Sequence, residues 1–301
     1  MNARKKFREL LHGPGLTLMP GAYDALSARI IEAQGFEAVV AGGYAAVGAL
    51  LGEADGGQSN VRDYASHYGR ICDAVDIPVY VDADTGFGWV HNVAKMVRMF
   101  ERAGVAGFFI TDQAFPNRCG YMPGKQVVPV EEMLAKLLAA LDARTDPDML
   151  IGARTDVFQL EGMDAAIERC QIFMEAGVDF AKPQGADTKE DVAMVIDRVP
   201  GPHMANLSHA AGAWKITPKE LEEVGASMVS FPSAALFAAV GGVTRAMESL
   251  KNNGDFAAVA DELCPLDAYY RLVGLQDYMD AEQRYLDAAA RLAAGKPAAA
   301  E

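Results

Sequence analysis

At 301 residues, with 51% apolar and 23% charged side chains, the chain has the balance of a soluble globular protein of one large domain or two small ones. A formal net charge of -14 argues against nucleic-acid or anionic-membrane partners, and no stretch approaches a transmembrane span. Cys72, Cys119, Cys170 and Cys264 form no CxxC or zinc spacing, and the basic start Met1–Lys6 has no apolar signal core behind it, so a cytoplasmic setting is expected.

Taken in order, short apolar runs that read as strands fall at Leu16–Met19, Ala38–Ala41, Pro78–Asp82, Phe108–Ile110, Met149–Ala153, Phe180–Ala181, His203–Asn206 and Met228–Ser230. Four times a helix end runs through a glycine into such a strand, at Gly35, Gly104, Gly177 and Gly225, where the left-handed conformation turns the chain back. Between them lie helical stripes, Val93, Met96, Val97 and Phe100 in one and Ala166, Cys170, Phe173 and Met174 in another. Eight β–α units over roughly 250 residues predict a (β/α)8 TIM barrel, and the absence of a glycine-rich dinucleotide fingerprint after the first strand disfavours an open doubly wound sheet. The expected organisation is a barrel over 1–255, a helical extension over 256–295 and a frayed tail over 296–301. The extension carries Leu275, Tyr278, Met279 and Tyr285 on one face, which packs either on the chain's own barrel or on another subunit.

A barrel builds its site at the carboxyl ends of its strands. Here those ends read Pro20-Gly21, Ala41-Gly42-Gly43, Asp82, Thr111-Asp112, Arg154-Thr155-Asp156, Lys182-Pro183-Gln184, Asn206 and Phe231-Pro232. In Val81-Asp82-Ala83-Asp84-Thr85-Gly86-Phe87-Gly88, two carboxylates at i and i+2 point to one side of an extended chain. Such a pair suits Mg²⁺ or Mn²⁺; alternatively one Asp caps a helix and the other is solvated. Cys119 sits in the Pro- and Gly-flanked loop Pro116–Gly124, whereas Cys170 belongs to a helix stripe and reads as core.

The run Asp82–Gly88, followed by Asp112-Gln113 and by Arg118-Cys119-Gly120, resembles the isocitrate lyase and phosphoenolpyruvate mutase superfamily, nearest in look to 2-methylisocitrate and 2,3-dimethylmalate lyases. The resemblance implies a Mg²⁺-dependent α/β barrel, usually a homotetramer, with C-terminal helices swapped between subunits. Its partners would be small 2-hydroxy or 2-oxo carboxylates. It assigns the metal to Asp82 and Asp84 with Asp55 nearby, and a substrate carboxylate to the amides of Gly42 and Gly43. Arg118, Arg154 and Asn206 would bind carboxylate oxygens, with Gln184 and Lys182 as further substrate-binding positions. Cys119 would be the catalytic thiol on a gate loop, Asn117–Lys125, that is disordered or open without ligand, with Arg118 and Tyr121 beside it. A thiol with its ordinary pKa near ~8.5 is mostly protonated at neutral pH and can protonate a carbanion.

Several positions depart from the family pattern. The usual Lys-Arg-Cys-Gly-His is Asn117-Arg118-Cys119-Gly120-Tyr121, an acid after the fourth strand is Thr111, a glutamate after the sixth is Gln184, and a serine before the double glycine is Ala41. The expected activity is cleavage of a 2-hydroxy di- or tricarboxylate into a 2-oxo acid and a carboxylic acid. Alternatives are an oxaloacetate-type hydrolase or decarboxylase on the same site, and a catalytically degenerate carboxylate-binding barrel.

Overall fold

The computed structural model describes residues 2–120, 122–208 and 216–294. Its eight strands are β1 (Thr17–Pro20), β2 (Val39–Ala41), β3 (Val79–Asp82), β4 (Gly107–Thr111), β5 (Leu150–Thr155), β6 (Phe180–Pro183), β7 (Met204–Asn206) and β8 (Met228–Phe231). All pair in parallel, in the orders β2-β3-β4-β5-β6 and β1-β8-β7. The two sheets join through a parallel bridge between Gly21 and Val40, reinforced by the Ala22 amide donating to the Val40 carbonyl at 2.8 Å, and β6 neighbours β7. With at least one helix after every strand, the chain forms a (β/α)8 barrel.

The four helix-to-strand glycines do what their spacing predicts. Gly35, Gly104, Gly177 and Gly225 all have φ between 85° and 96°, the left-handed turn-back conformation.

The period of two along each strand sorts its side chains into two cores. Val39, Val79, Val81, Phe108, Ile110, Ile151 and Ala153 face the surrounding helices. Val40, Tyr80, Phe109, Leu150, Phe180, Met204 and Met228 fill the interior. The amino-terminal helix Ala3–His12 adds Phe7 and Leu11, both fully buried, to that interior core, with the Phe7 ring 5.7 Å from that of Tyr80. Space there is tight: a Cβ on Gly152 would lie 2.1 Å from the Phe180 ring. Above this packed layer, inward positions nearer the strand ends are Asp82, Thr111, Arg154, Lys182, Asn206 and Ser230.

The chain divides into two compact units, 1–240 and 241–301. The second holds the end of the helix Ala234–Asn253, a 3₁₀ segment Ala257–Glu262 and the helices Leu266–Leu272 and Leu275–Ala293. The last two helices bury no residue within the single chain, and their stripe is exposed, Tyr278 and Tyr285 to 73% each and Met279 to 53%.

Candidate active site

The turn after β3 brings the acidic groups together, though not as strand alternation predicts. Asp84 lies in the left-handed region (φ 46°), which aspartate tolerates better than most residues. Its amide donates to Asp82 Oδ1 at 2.9 Å, an Asx turn that folds the two carboxylates toward each other. Asp82 Oδ2 and Asp84 Oδ1 would stand 3.3 and 3.2 Å from a Cβ on Gly43, so a larger residue there would crowd both. Gly43 opens the helix Gly43–Leu51 with Gly42 as its cap, and the amides of such a first turn have no partner inside the helix.

Burial raises the pKa of all three acids in this corner. Asp55 is pushed to about 6, by desolvation first and the charge of Asp82 second. Asp84 rises well above the usual carboxylate range through burial and then its neighbours Asp82 and Asp55, despite a 2.9 Å hydrogen bond from Asn117 Nδ2. Asp82 also rises by burial, held back by Arg154 and by the backbone amides of Asp84 and Gly43.

Could this corner hold a divalent cation? Asp55 Oδ1 is buried with no hydrogen-bond partner among the described residues, and three mutually repelling oxygen-bearing groups are the chemistry Mg²⁺ prefers. The residues fit.

The opposite wall is cationic. Arg154 is gripped by Asp156 through Nε at 2.9 Å and Nη2 at 3.1 Å. Burial works against its charge, but Asp156, Asp82 and then Cys119 outweigh that and raise its pKa. Asp156 also accepts from Thr111 Oγ1 at 2.8 Å and Lys125 Nζ at 3.0 Å. Burial alone would raise the Asp156 pKa, but Arg154 and Lys125 bring it down to about 2. Thr111, which removes an acid in the family pattern, therefore serves as a donor to the arginine's counter-ion. Asp112 braces the same strand ends, accepting from Thr155 Oγ1 at 2.7 Å, the Asp156 amide at 2.9 Å and Arg169 at 3.0 Å.

The gate loop lies over this cleft. Its base is closed by a bridge between Gln113 and Val127, and the Gln113 side chain clamps the Arg118 backbone at both its amide and its carbonyl. Lys125 Nζ donates to the Gly120 carbonyl, and Gly120 sits so close to Gln184 that a Cβ would fall 2.8 Å from the glutamine's Cδ. The arrangement is closed, where the ligand-free loop was expected disordered or open. Arg118 is exposed at the rim and donates to the Pro123 carbonyl, while half-buried Cys119 turns toward the interior.

One cavity gathers most of the predicted site. Gly42, Gly43, Asp55 and Asp82 line one side, and Arg154, Lys182, Gln184 and Asn206 the other, with Arg118 and Cys119 in the gate above. Asn206 is oriented by a 2.9 Å hydrogen bond from Ser230. Asp84 stands behind Asp82 rather than on the wall, and Tyr121 lies outside the described residues. Sequence reasoning gave no role to Asp156, Asn117, Lys125 or Tyr64. Asp156 had a signal, two residues beyond Arg154 at the same strand end; Tyr64, whose hydroxyl stands beside Asp84 at Gly43, had none, since it reads as an ordinary buried helix position.

The phosphoenolpyruvate phosphomutase family pattern matches residues 7–251. The 2,3-dimethylmalate lyase of Eubacterium barkeri is 35% identical over 285 residues, covering 95% of this chain and 99% of the relative. An oxaloacetate acetylhydrolase structure holding 3,3-difluorooxalacetate superposes with a TM-score of 0.88 at 29% identity over 99% of both chains. A phosphonopyruvate hydrolase complexed with oxalate and Mg²⁺ gives 0.84 at 26% identity, over 95% of this chain and all of that one. By family pattern, identity and fold, the chain belongs to the phosphoenolpyruvate mutase/isocitrate lyase superfamily and is a lyase of isocitrate lyase type.

Proposed function

We propose that the protein cleaves the C2–C3 bond of a 2-hydroxy di- or tricarboxylate of the alkylmalate or 2-methylisocitrate type, giving a 2-oxo acid and a carboxylic acid. The observation that carries this reading is one cavity in which Cys119 faces Arg154 across from an acidic corner. Cleavage leaves an enediolate-like dianion that needs fixed positive charge and then a proton on carbon.

Arg154, preorganised by Asp156, binds the carboxylate next to the breaking bond. Asn206 and the amides of Gly42 and Gly43 orient the remaining oxygens, and Arg118 meets a second carboxylate at the rim. Cys119 Sγ–H then protonates the carbanion carbon, with the closed gate excluding water that would compete for it. Asp82 and Asp84, with Asp55, would hold Mg²⁺ or Mn²⁺ directly or through water, supplying charge that stabilises the enediolate. The exposed stripe of Tyr278, Met279 and Tyr285 supports assembly, on this reading a cytoplasmic homotetramer with paired C-terminal helices.

The test is a panel of alkylmalates, citrates and 2-oxo diacids with Mg²⁺, read by coupled reduction of released 2-oxo acid. Release from a 2-hydroxy acid is expected. Acetate and oxalate from oxaloacetate, with none from the hydroxy acids, would make the enzyme a hydrolase. Tight binding of a diacid without turnover would make it a carboxylate-binding barrel.

A further inference from the structure

Lys182 is the inward residue near the end of β6, and it is 7% exposed. Among the described residues it has neither an ion-pair partner nor a hydrogen bond; Nζ lies 4.6 Å over the centroid of Phe109 and 5.6 Å from that of Tyr80. The charged and titratable groups around it are Arg154 and Asp156 from β5 and its end, Asp82 and Tyr80 from β3, and Arg118 and Cys119 in the gate. Burial and then Arg154 lower its pKa to about 7, and the attraction of Asp82 and Asp156 does not restore it. A neutral amine is therefore available near pH 7.

Other side chains of the cavity are already committed. Asp156 accepts from three side chains and is a weak base at a pKa of about 2. Gln184, Thr111 and Asn206 cannot take up a proton, and Asp82 and Asp55 belong to the acidic corner. Arg154 and Lys182 are register partners on adjacent strands, so their backbones run about 4.8 Å apart. Both side chains end over the same ring, Arg154 Cζ 5.5 Å and Lys182 Nζ 4.6 Å from the Phe109 centroid, so a carboxylate on Arg154 would bring the hydroxyl next to it toward the amine.

We propose that Lys182 is the general base of the cleavage. The proposal rests on the lyase reading above. The C2 hydroxyl proton passes to Lys182 Nζ, C2–O becomes C=O, and the C2–C3 electron pair leaves on C3 as the enediolate. Cys119 then gives its thiol proton to C3, leaving an ammonium and a thiolate. The net proton transfer from Lys182 to Cys119 resets both groups through solvent once the gate opens.

The experiment uses the full-length enzyme with Mg²⁺ and 2,3-dimethylmalate, then the other 2-hydroxy acids of the panel. Lys182→Arg keeps the positive charge but cannot deprotonate, so it should lose roughly 10²–10⁴-fold in kcat with KM little changed. Lys182→Met should lose as much. The acid limb of the wild-type kcat profile should be lost from the residual activity of Lys182→Met. A Lys182→Arg enzyme within about threefold of wild type, or a Lys182→Met enzyme that keeps the acid limb, overturns the base assignment and leaves the lyase reading intact. A wild type that releases no 2-oxo acid from any hydroxy acid of the panel overturns the lyase reading, and the base role falls with it.

Discussion

Gly120 is where the gate comes down on the barrel wall, with a missing Cβ that would lie 2.8–3.0 Å from Cδ, Nε2 and Cγ of Gln184. Gln184 is itself 95% buried and cannot simply swing into solvent, since its own exposure is 5%. Adding a methyl at 120 therefore either displaces a packed side chain or holds the gate ajar. Overpacking of this kind costs roughly 1–3 kcal/mol, and if the cost falls on closure it lowers the closed population about 5- to 150-fold. Gly120→Ala should lower kcat by that factor. KM should rise far less than kcat falls, because of the carboxylate-binding side chains only Arg118 rides on the loop, while Arg154 and Asn206 stand on the barrel. The assay is steady-state kinetics paired with limited proteolysis of the loop, which should quicken in the variant. On a Gln184→Ala background the clash is gone, and the same glycine change should cost less than about threefold. Equal losses on both backgrounds would refute the steric argument, and so would a raised KM with kcat unchanged.

Chelation should abolish turnover and Mg²⁺ or Mn²⁺ restore it, with Asp84→Asn weakening metal affinity in calorimetric titration while the far-ultraviolet dichroism is kept. Because Asp55 has a raised pKa of about 6, protons compete for the corner below that value, and measured Mg²⁺ affinity should fall as pH drops through 6. Cys119→Ser should bind a diacid inhibitor normally but lose roughly 10²–10⁴-fold in kcat, since a hydroxyl is a far weaker acid than a thiol. Asp156→Asn should destabilise the fold at pH 7. The depressed pKa of Asp156, from 3.8 to about 2, is alone worth roughly 2 kcal/mol, and leaving Arg154 and Lys125 buried without their counter-ion adds to it. A depressed carboxylate stabilises above its unfolded pKa, so urea unfolding should show the wild-type advantage intact above pH 5 and fading as pH falls from 4 toward 2.

What the sequence disclosed follows from periodicity. Strand alternation aligned Asp82, Arg154, Lys182 and Asn206 on the inward face, and the strand-end rule gathered them without any coordinates. Glycine after a helix end located four of the turns, and all four carry positive φ. Asp84 shows the limit. Its place beside Asp82 was anticipated from an extended chain, but it arises from a left-handed turn closed by the Asp82 side chain, a geometry that residue spacing does not encode. The contacts that Lys125 and Thr111 make with Asp156 were hidden for another reason. They join a loop, β5 and β4, and pairings over 31 and 45 residues leave no local pattern.

The departures from the family pattern make sense when their charges are followed through the site. Where the pattern has a lysine at the head of the gate, Asn117 brings only an amide dipole to Asp84 at 2.9 Å. A lysine there would carry a cation into the acidic corner each time the loop closed; the asparagine leaves more of that repulsion for a bound metal to offset. The acids lost at 111 and 184 would have faced the wall that Arg154 and Lys182 now occupy. Removing them leaves Lys182 buried with no carboxylate paired to it, and burial can then drive its amine toward neutrality. A glutamate at 184 would put a carboxylate two residues from that lysine and favour its ammonium form. The substitutions are therefore coupled: the same loss of acid that removes charge from the site frees a base on its wall, built into the barrel before the gate closes.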